Sequence, residues 1–188
     1  NSSFATNWNQ SFFFFLNLCA GNFTMTTSGG GEFRFTATGT TTITISGNYS
    51  QAANTVNLSS GNNAAVTFNV GGDFTLSNGI FQVADNNNNI NVVTVTGNTT
   101  ISSTGTNGIM LSTGSGDANT LGTFQTTDFT ANGTSSRMID FGDQGTGHQF
   151  RIDGNFSKSG TGTFYTTSTA LVGSFVFNKA GTQTFSYS

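Results

Sequence analysis

The sequence predicts an all-β fold, a right-handed parallel β-helix (β-solenoid) with about three short strands and 25–30 residues per coil. Three observations predict it. A short phrase recurs as Gly21-Asn22-Phe23, Gly47-Asn48-Tyr49, Gly72-Asp73-Phe74, Gly97-Asn98-Thr99, Thr127-Asp128-Phe129 and Gly154-Asn155-Phe156, with starts 26, 25, 25, 30 and 27 residues apart. Each phrase follows an alternating run of β-branched and aromatic residues, such as Thr42-Ile43-Thr44-Ile45 or Val93-Thr94-Val95-Thr96. Proline is absent, as expected where every strand both donates to and accepts from a neighbouring coil.

The elements follow from the repeat. The run Phe12-Phe13-Phe14-Phe15-Leu16-Asn17-Leu18-Cys19-Ala20 precedes the first phrase and is expected to be one buried strand. It is too short to span a bilayer, and no basic region precedes it as in a signal peptide. The coil from Gly47 carries strand-like segments at Val56–Ser59 and Val66–Val70. The next coil carries them at Phe74–Leu76, Ile80–Val83 and Val92–Val95. Asn, Gly, Ser and Asp turns divide these segments. Loops are expected at 85–89, 112–119 and 142–147, the second of these in the longest repeat. No helix is expected. Asn-Gly and Asp-Gly pairs are sparse, which argues against antiparallel hairpins. Residues 1–188 are expected to be a single solenoid segment of a longer repetitive protein.

In a coil stack, equivalent residues lie above one another. Phe23, Tyr49, Phe74, Phe129 and Phe156 then form an inward aromatic ladder that Thr99 interrupts. Asn22, Asn48, Asp73, Asn98, Asp128 and Asn155 form a polar ladder beside it, with side-chain amides bonding along the axis. Asn98 separates the two aspartates.

Composition bounds the function classes. Charged residues are 7% of the chain, against about 25% in ordinary globular domains. With 20 phenylalanines the chain is not disordered. A net charge of -3 and five scattered basic residues give no footprint for nucleic acid. One cysteine permits neither an intrachain disulfide nor a cysteine metal cluster, and no cofactor is expected. Asn-x-Ser/Thr sequons at Asn22, Asn48, Asn98 and Asn155 follow from the composition rather than from glycosylation.

Charge gathers between Arg137 and Lys158, around Asp140, Asp143, His148, Arg151 and Asp153. β-Helix enzymes that cleave polysaccharides use paired aspartates with a basic partner, and Asp140, Asp143, His148 and Arg151 form the alternative site of that kind. Alternation in Met138-Ile139-Asp140-Phe141 instead places Asp140 on the outer face, and the remaining charges on the solvated side of one coil. The loops Gly116–Asn119 and Gly142–Gly147 loosely resemble calcium loops but lack the usual carboxylate count. Threonine pairs such as Thr36 and Thr38 suggest an ice-binding array, but adjacent coils carry Asn57 or Gln82 instead. The expectation is a chain that is not an enzyme.

The Gly-Asn-Phe-Thr/Ser phrases, together with Phe175-Val176-Phe177-Asn178-Lys179-Ala180-Gly181-Thr182-Gln183-Thr184-Phe185-Ser186, resemble repeats of large bacterial cell-surface adhesin-like proteins exported by the type IX secretion system. The resemblance implies an extracellular stalk, adhesin or filament segment, and it brings no catalytic residues. The implied partners are neighbouring coils, copies of the chain itself, or surface polysaccharide.

Overall fold

The computed structural model describes residues 12–13, 18–26, 31–36, 39–59, 61–85, 88–113, 119–142, 147–165 and 173–188. The chain winds through three seven-stranded parallel sheets, taking one strand from each per turn. It is a β-solenoid of about six turns with three strands per coil, and no helix occurs among the described residues.

Sheet I stacks β1 (Phe12–Phe13), β4 (Glu32–Thr36), β7 (Thr55–Ser59), β10 (Ile80–Ala84), β13 (Asn107–Ser112), β16 (Arg137–Asp140) and β19 (Phe164–Tyr165). Sheet II stacks β2 (Leu18–Cys19), β5 (Thr40–Ile45), β8 (Ala65–Val70), β11 (Ile90–Val95), β14 (Leu121–Thr126), β17 (His148–Ile152) and β20 (Gly173–Phe177). Sheet III stacks the shorter β3 (Phe23–Met25), β6 (Tyr49–Gln51), β9 (Phe74–Leu76), β12 (Thr99–Ile101), β15 (Phe129–Ala131), β18 (Phe156–Lys158) and β21 (Phe185–Tyr187).

Alternation decides which side chains fill the lumen. In β8, Val66, Phe68 and Val70 are buried while Thr67 is exposed. In β11, Asn91, Val93 and Val95 point inward in the same way. The β-branched and aromatic residues therefore occupy the pleat that the stack closes around.

One element differs from expectation. The apolar run is not a single strand: Phe12–Phe13 pairs with β4 in sheet I, and Leu18–Cys19 pairs with β5 in sheet II. A coil must visit both sheets before each Gly-Asn-Phe corner, so this run contributes to two. A mostly apolar stretch carries no period that would reveal such a change of sheet.

Two sheet III columns organise the core. Phe23 pairs with Tyr49, Tyr49 with Phe74, Phe74 with Thr99, Thr99 with Phe129, Phe129 with Phe156 and Phe156 with Phe185. Rings Phe23 and Tyr49 lie 5.3 Å apart at 9°, and Tyr49 and Phe74 lie 4.6 Å apart at 7°. Such pairs contribute roughly 0.5–1.5 kcal/mol each beyond their buried area. On the opposite, outward side, Thr24, Ser50, Thr75, Thr100, Thr130, Ser157 and Ser186 form an unbroken column of hydroxyl residues.

Candidate functional site

The recurring phrase forms the corner between sheets II and III. Its second residue uses one side-chain oxygen to hold the next coil. Asn22 Oδ1 accepts the backbone N–H of Asn48 at 2.9 Å, and Asn48 Oδ1 accepts that of Asp73 at 2.9 Å. Asp73 Oδ1 accepts Asn98 N–H at 2.8 Å, and Asp128 Oδ1 accepts Asn155 N–H at 2.6 Å. Asn155 Oδ1 then accepts Thr184 N–H at 3.2 Å and Lys179 Nζ at 2.8 Å.

This bonding differs from the amide-to-amide ladder that the sequence suggested. Only an acceptor oxygen is used, so aspartate serves as well as asparagine. The first residue of the phrase makes room for it. A Cβ added at Gly72 would run into Asn48 Oδ1 and the Gly47 backbone. Gly47, Gly97 and Gly154 face Asn22, Asp73 and Asp128 in the same way. Where Thr127 replaces the glycine, the Asn98 side chain makes no hydrogen bond to Asp128, and Thr127 Oγ1 donates to Thr96 O at 2.7 Å instead.

The charged cluster distributes over all three sheets. Asp140 lies on the outward side of sheet I, yet it is 1% exposed. Its Oδ1 accepts Gly142 N–H at 2.8 Å, and its Oδ2 lies 3.3 Å from Arg137 Nη1. Alternation gave its direction, and on that outer face the carboxylate is ion-paired and buried. One residue leaving sheet I reaches this face in an earlier coil: Thr113 accepts from Gln82 Nε2 at 2.6 Å and donates to Asp85 Oδ1 at 3.0 Å. Asn57 and Gln82, the Asp140 equivalents in earlier coils, are buried as well, and Asn57 Oδ1 accepts Ser59 N–H at 3.0 Å.

His148 also departs from a solvated face. It points inward from β17 and is fully buried, and its Nδ1 accepts Gly122 N–H at 2.9 Å. That bond requires a lone pair on Nδ1, so the proton sits on Nε2. Asn91, which occupies the same inward column in an earlier coil, accepts Val66 N–H at 2.9 Å. His148 therefore plays the part of a buried asparagine. Lys158 is buried too, donating to Gly160 O at 3.1 Å with Nζ 4.9 Å from the Tyr187 ring centre. Arg151 faces outward from sheet II beside Gln149, at 3.4 Å. Asp153 accepts from Gln125 Nε2 at 2.6 Å. Asp143 lies outside the described residues, as do most of the loops 112–119 and 142–147.

Asp140, His148 and Arg151 thus occupy the outer side of sheet I, the lumen side of sheet II and the outer side of sheet II. The described bonds of each tie backbone or neighbouring side chains within or between coils. Among the described residues no group of three or more His, Cys, Asp or Glu could hold a metal ion, and no helix is long and apolar enough to cross a membrane. The outward hydroxyl column of sheet III escaped the sequence reasoning as a surface, although its signal was present as the Thr or Ser following each phrase. Comparison with protein-family models, curated proteins and solved structures finds no match.

Proposed function

We propose that this chain is a structural stalk segment of a secreted bacterial cell-surface protein, of the adhesin-like kind exported by the type IX secretion system. One observation carries the proposal: each coil is joined to the next by the same in-register three-sheet ladder, so length is set by coil number alone. Coils of this kind contribute additively through their neighbours, as in other repeat arrays. The resemblance of the Gly-Asn-Phe and Gly-Thr-Gln-Thr-Phe phrases to surface-protein repeats supports the location and the export route.

Antibodies against the segment test this directly. Labelling of intact, unpermeabilised cells is expected, together with loss of labelling when type IX export is disabled. Label that appears only after permeabilisation would remove the proposal.

A second reading, binding or cleavage of a surface polysaccharide, draws on the outward hydroxyl column from Thr24 to Ser186, which offers donors and acceptors once per coil. Release of reducing sugar by the purified chain, abolished in a folded Asp140→Ala variant, would favour this reading over the stalk.

A further inference from the structure

We infer that the coil spanning residues 97–126 is a built-in yield point, where the rod opens locally before the coils on either side. Both corner ladders fail there together. The aromatic column is interrupted by Thr99, and the polar ladder is interrupted between Asn98 and Asp128, where Thr127 replaces the accommodating glycine. Each defect alone would be a local irregularity. At the junction from Asn98 to Asp128 both restraints are missing, and only the Thr127 hydroxyl bond to Thr96 O stands in for them, whereas the junctions on either side keep the Asp73 and Asp128 bonds.

The interior of the same coil is the least complete. Among the described residues, five buried side-chain polar atoms lack a hydrogen-bond partner. Four belong to this coil: Thr99 Oγ1, Ser103 Oγ, Ser112 Oγ and Thr120 Oγ1. A buried hydroxyl without a partner loses its hydration and gains nothing in return, so opening this coil to water recovers free energy that opening its neighbours does not. Its lumen is also poorer in rings. Phe124 is its one inward aromatic, whereas the preceding coil supplies Phe74 and Phe81.

Phe124 shows how the stack bridges the defect. It meets Phe74 edge-on, at 5.3 Å and 85°, and stacks on Phe150 at 5.1 Å and 4°. The ring spans the level of Thr99 from the side of sheet II, so that sheets I and II stay continuous while the sheet III corner is weakened. Opening would therefore begin at the sheet III side, at β12, and leave two more complete blocks above and below. The inference depends on the coil geometry and stands whether or not the segment serves as a stalk.

Hydrogen exchange on the whole chain, read by mass spectrometry, tests it. Amides of β12 are expected to exchange about tenfold faster than those of its sheet III neighbours β9 and β15, the ratio that corresponds to one missing buried hydrogen bond. Thr99→Val keeps the side-chain shape and deletes one orphaned hydroxyl, and it should slow exchange in this coil alone. Equal protection across the interior coils, or faster exchange in the coils beginning at Gly47 or Gly72, would overturn the inference. So would a folded Thr99→Val chain whose exchange in this coil is unchanged.

Discussion

The Tyr49 hydroxyl donates to Gln51 Oε1 at 2.7 Å, and both side chains are completely buried inside the second coil. The pair is a polar insertion in columns that are otherwise apolar there, Tyr49 lying between Phe23 and Phe74, and Gln51 between Met25 and Leu76. Gln51 Nε2 extends the link to the carbonyls of Ala53, Asn54 and Ile80, at 3.2, 2.9 and 3.0 Å. It thereby ties a turn with a left-handed Asn54 (φ 60°) to the next coil. Tyr49→Phe should cost about 1–3 kcal/mol by orphaning Gln51 Oε1, and Gln51→Leu should cost more because it frees several groups at once. Urea unfolding of both variants and the double variant gives the coupling between them.

The same tyrosine predicts an alkaline response. Burial holds the Tyr49 phenol well above its ordinary value. The neutral form is thus favoured in the folded chain, and its contribution is fully present below the unfolded value of about 10. Above that pH the unfolded state gains by ionising while the folded state does not, so stability falls as pH climbs toward the raised folded value. Wild type should lose more stability than Tyr49→Phe over this range, as measured by circular dichroism at matched urea concentrations. Equal losses would contradict the assignment.

At the corner, acceptor chemistry should matter more than charge. Asp73→Asn keeps an oxygen for Asn98 N–H and should leave stability nearly unchanged, whereas Asp73→Ala should cost about 0.5–1.5 kcal/mol. Thermal unfolding of the two variants separates a bonding role from an electrostatic one.

Gly72→Ala should destabilise by about 1–3 kcal/mol, because its Cβ meets the Asn48 side chain and the Gly47 backbone. Adding Asn48→Ala removes the first obstacle and leaves the second, so rescue should be partial. Full rescue would mean that the backbone yields more readily than its close approach implies.

Asp140 offers a similar contrast inside a buried setting. Asp140→Asn preserves an acceptor for Gly142 N–H, while Asp140→Ala removes that acceptor from a buried site and should cost roughly 1–3 kcal/mol. Arg137 would keep its position over the Tyr165 ring, 4.2 Å from the centroid, in either case. Denaturation midpoints distinguish the two substitutions.

The repeat made the coil legible because a fixed spacing constrains three sheets at once. Once Gly47 and Gly72 are equivalent, Tyr49 must lie beneath Phe74, and strands such as Ala65–Val70 and Ile90–Val95 follow from alternation. Three features were missed, each for its own reason. Asp140 points outward and is nonetheless buried, bonded to Gly142 N–H and beside Arg137. His148 was grouped with surface charges because its type suggested it, although its parity with Phe150 and Ile152 already placed it inward. The change of sheet between Phe12–Phe13 and Leu18–Cys19 left no trace, since a run of apolar residues satisfies either sheet.

The side-chain bonds at the corners all point one way. From Asn22 to Asn155, each side-chain oxygen accepts from the following coil, wherever the bond is made. The rod is accordingly a vector: a coil laid on it in the native sense finds an oxygen awaiting its N–H. A coil laid on it in reverse brings oxygen against oxygen. Growth of such a structure, in a longer chain or between chains, carries a chemical arrow that the near-uniform outer surface conceals.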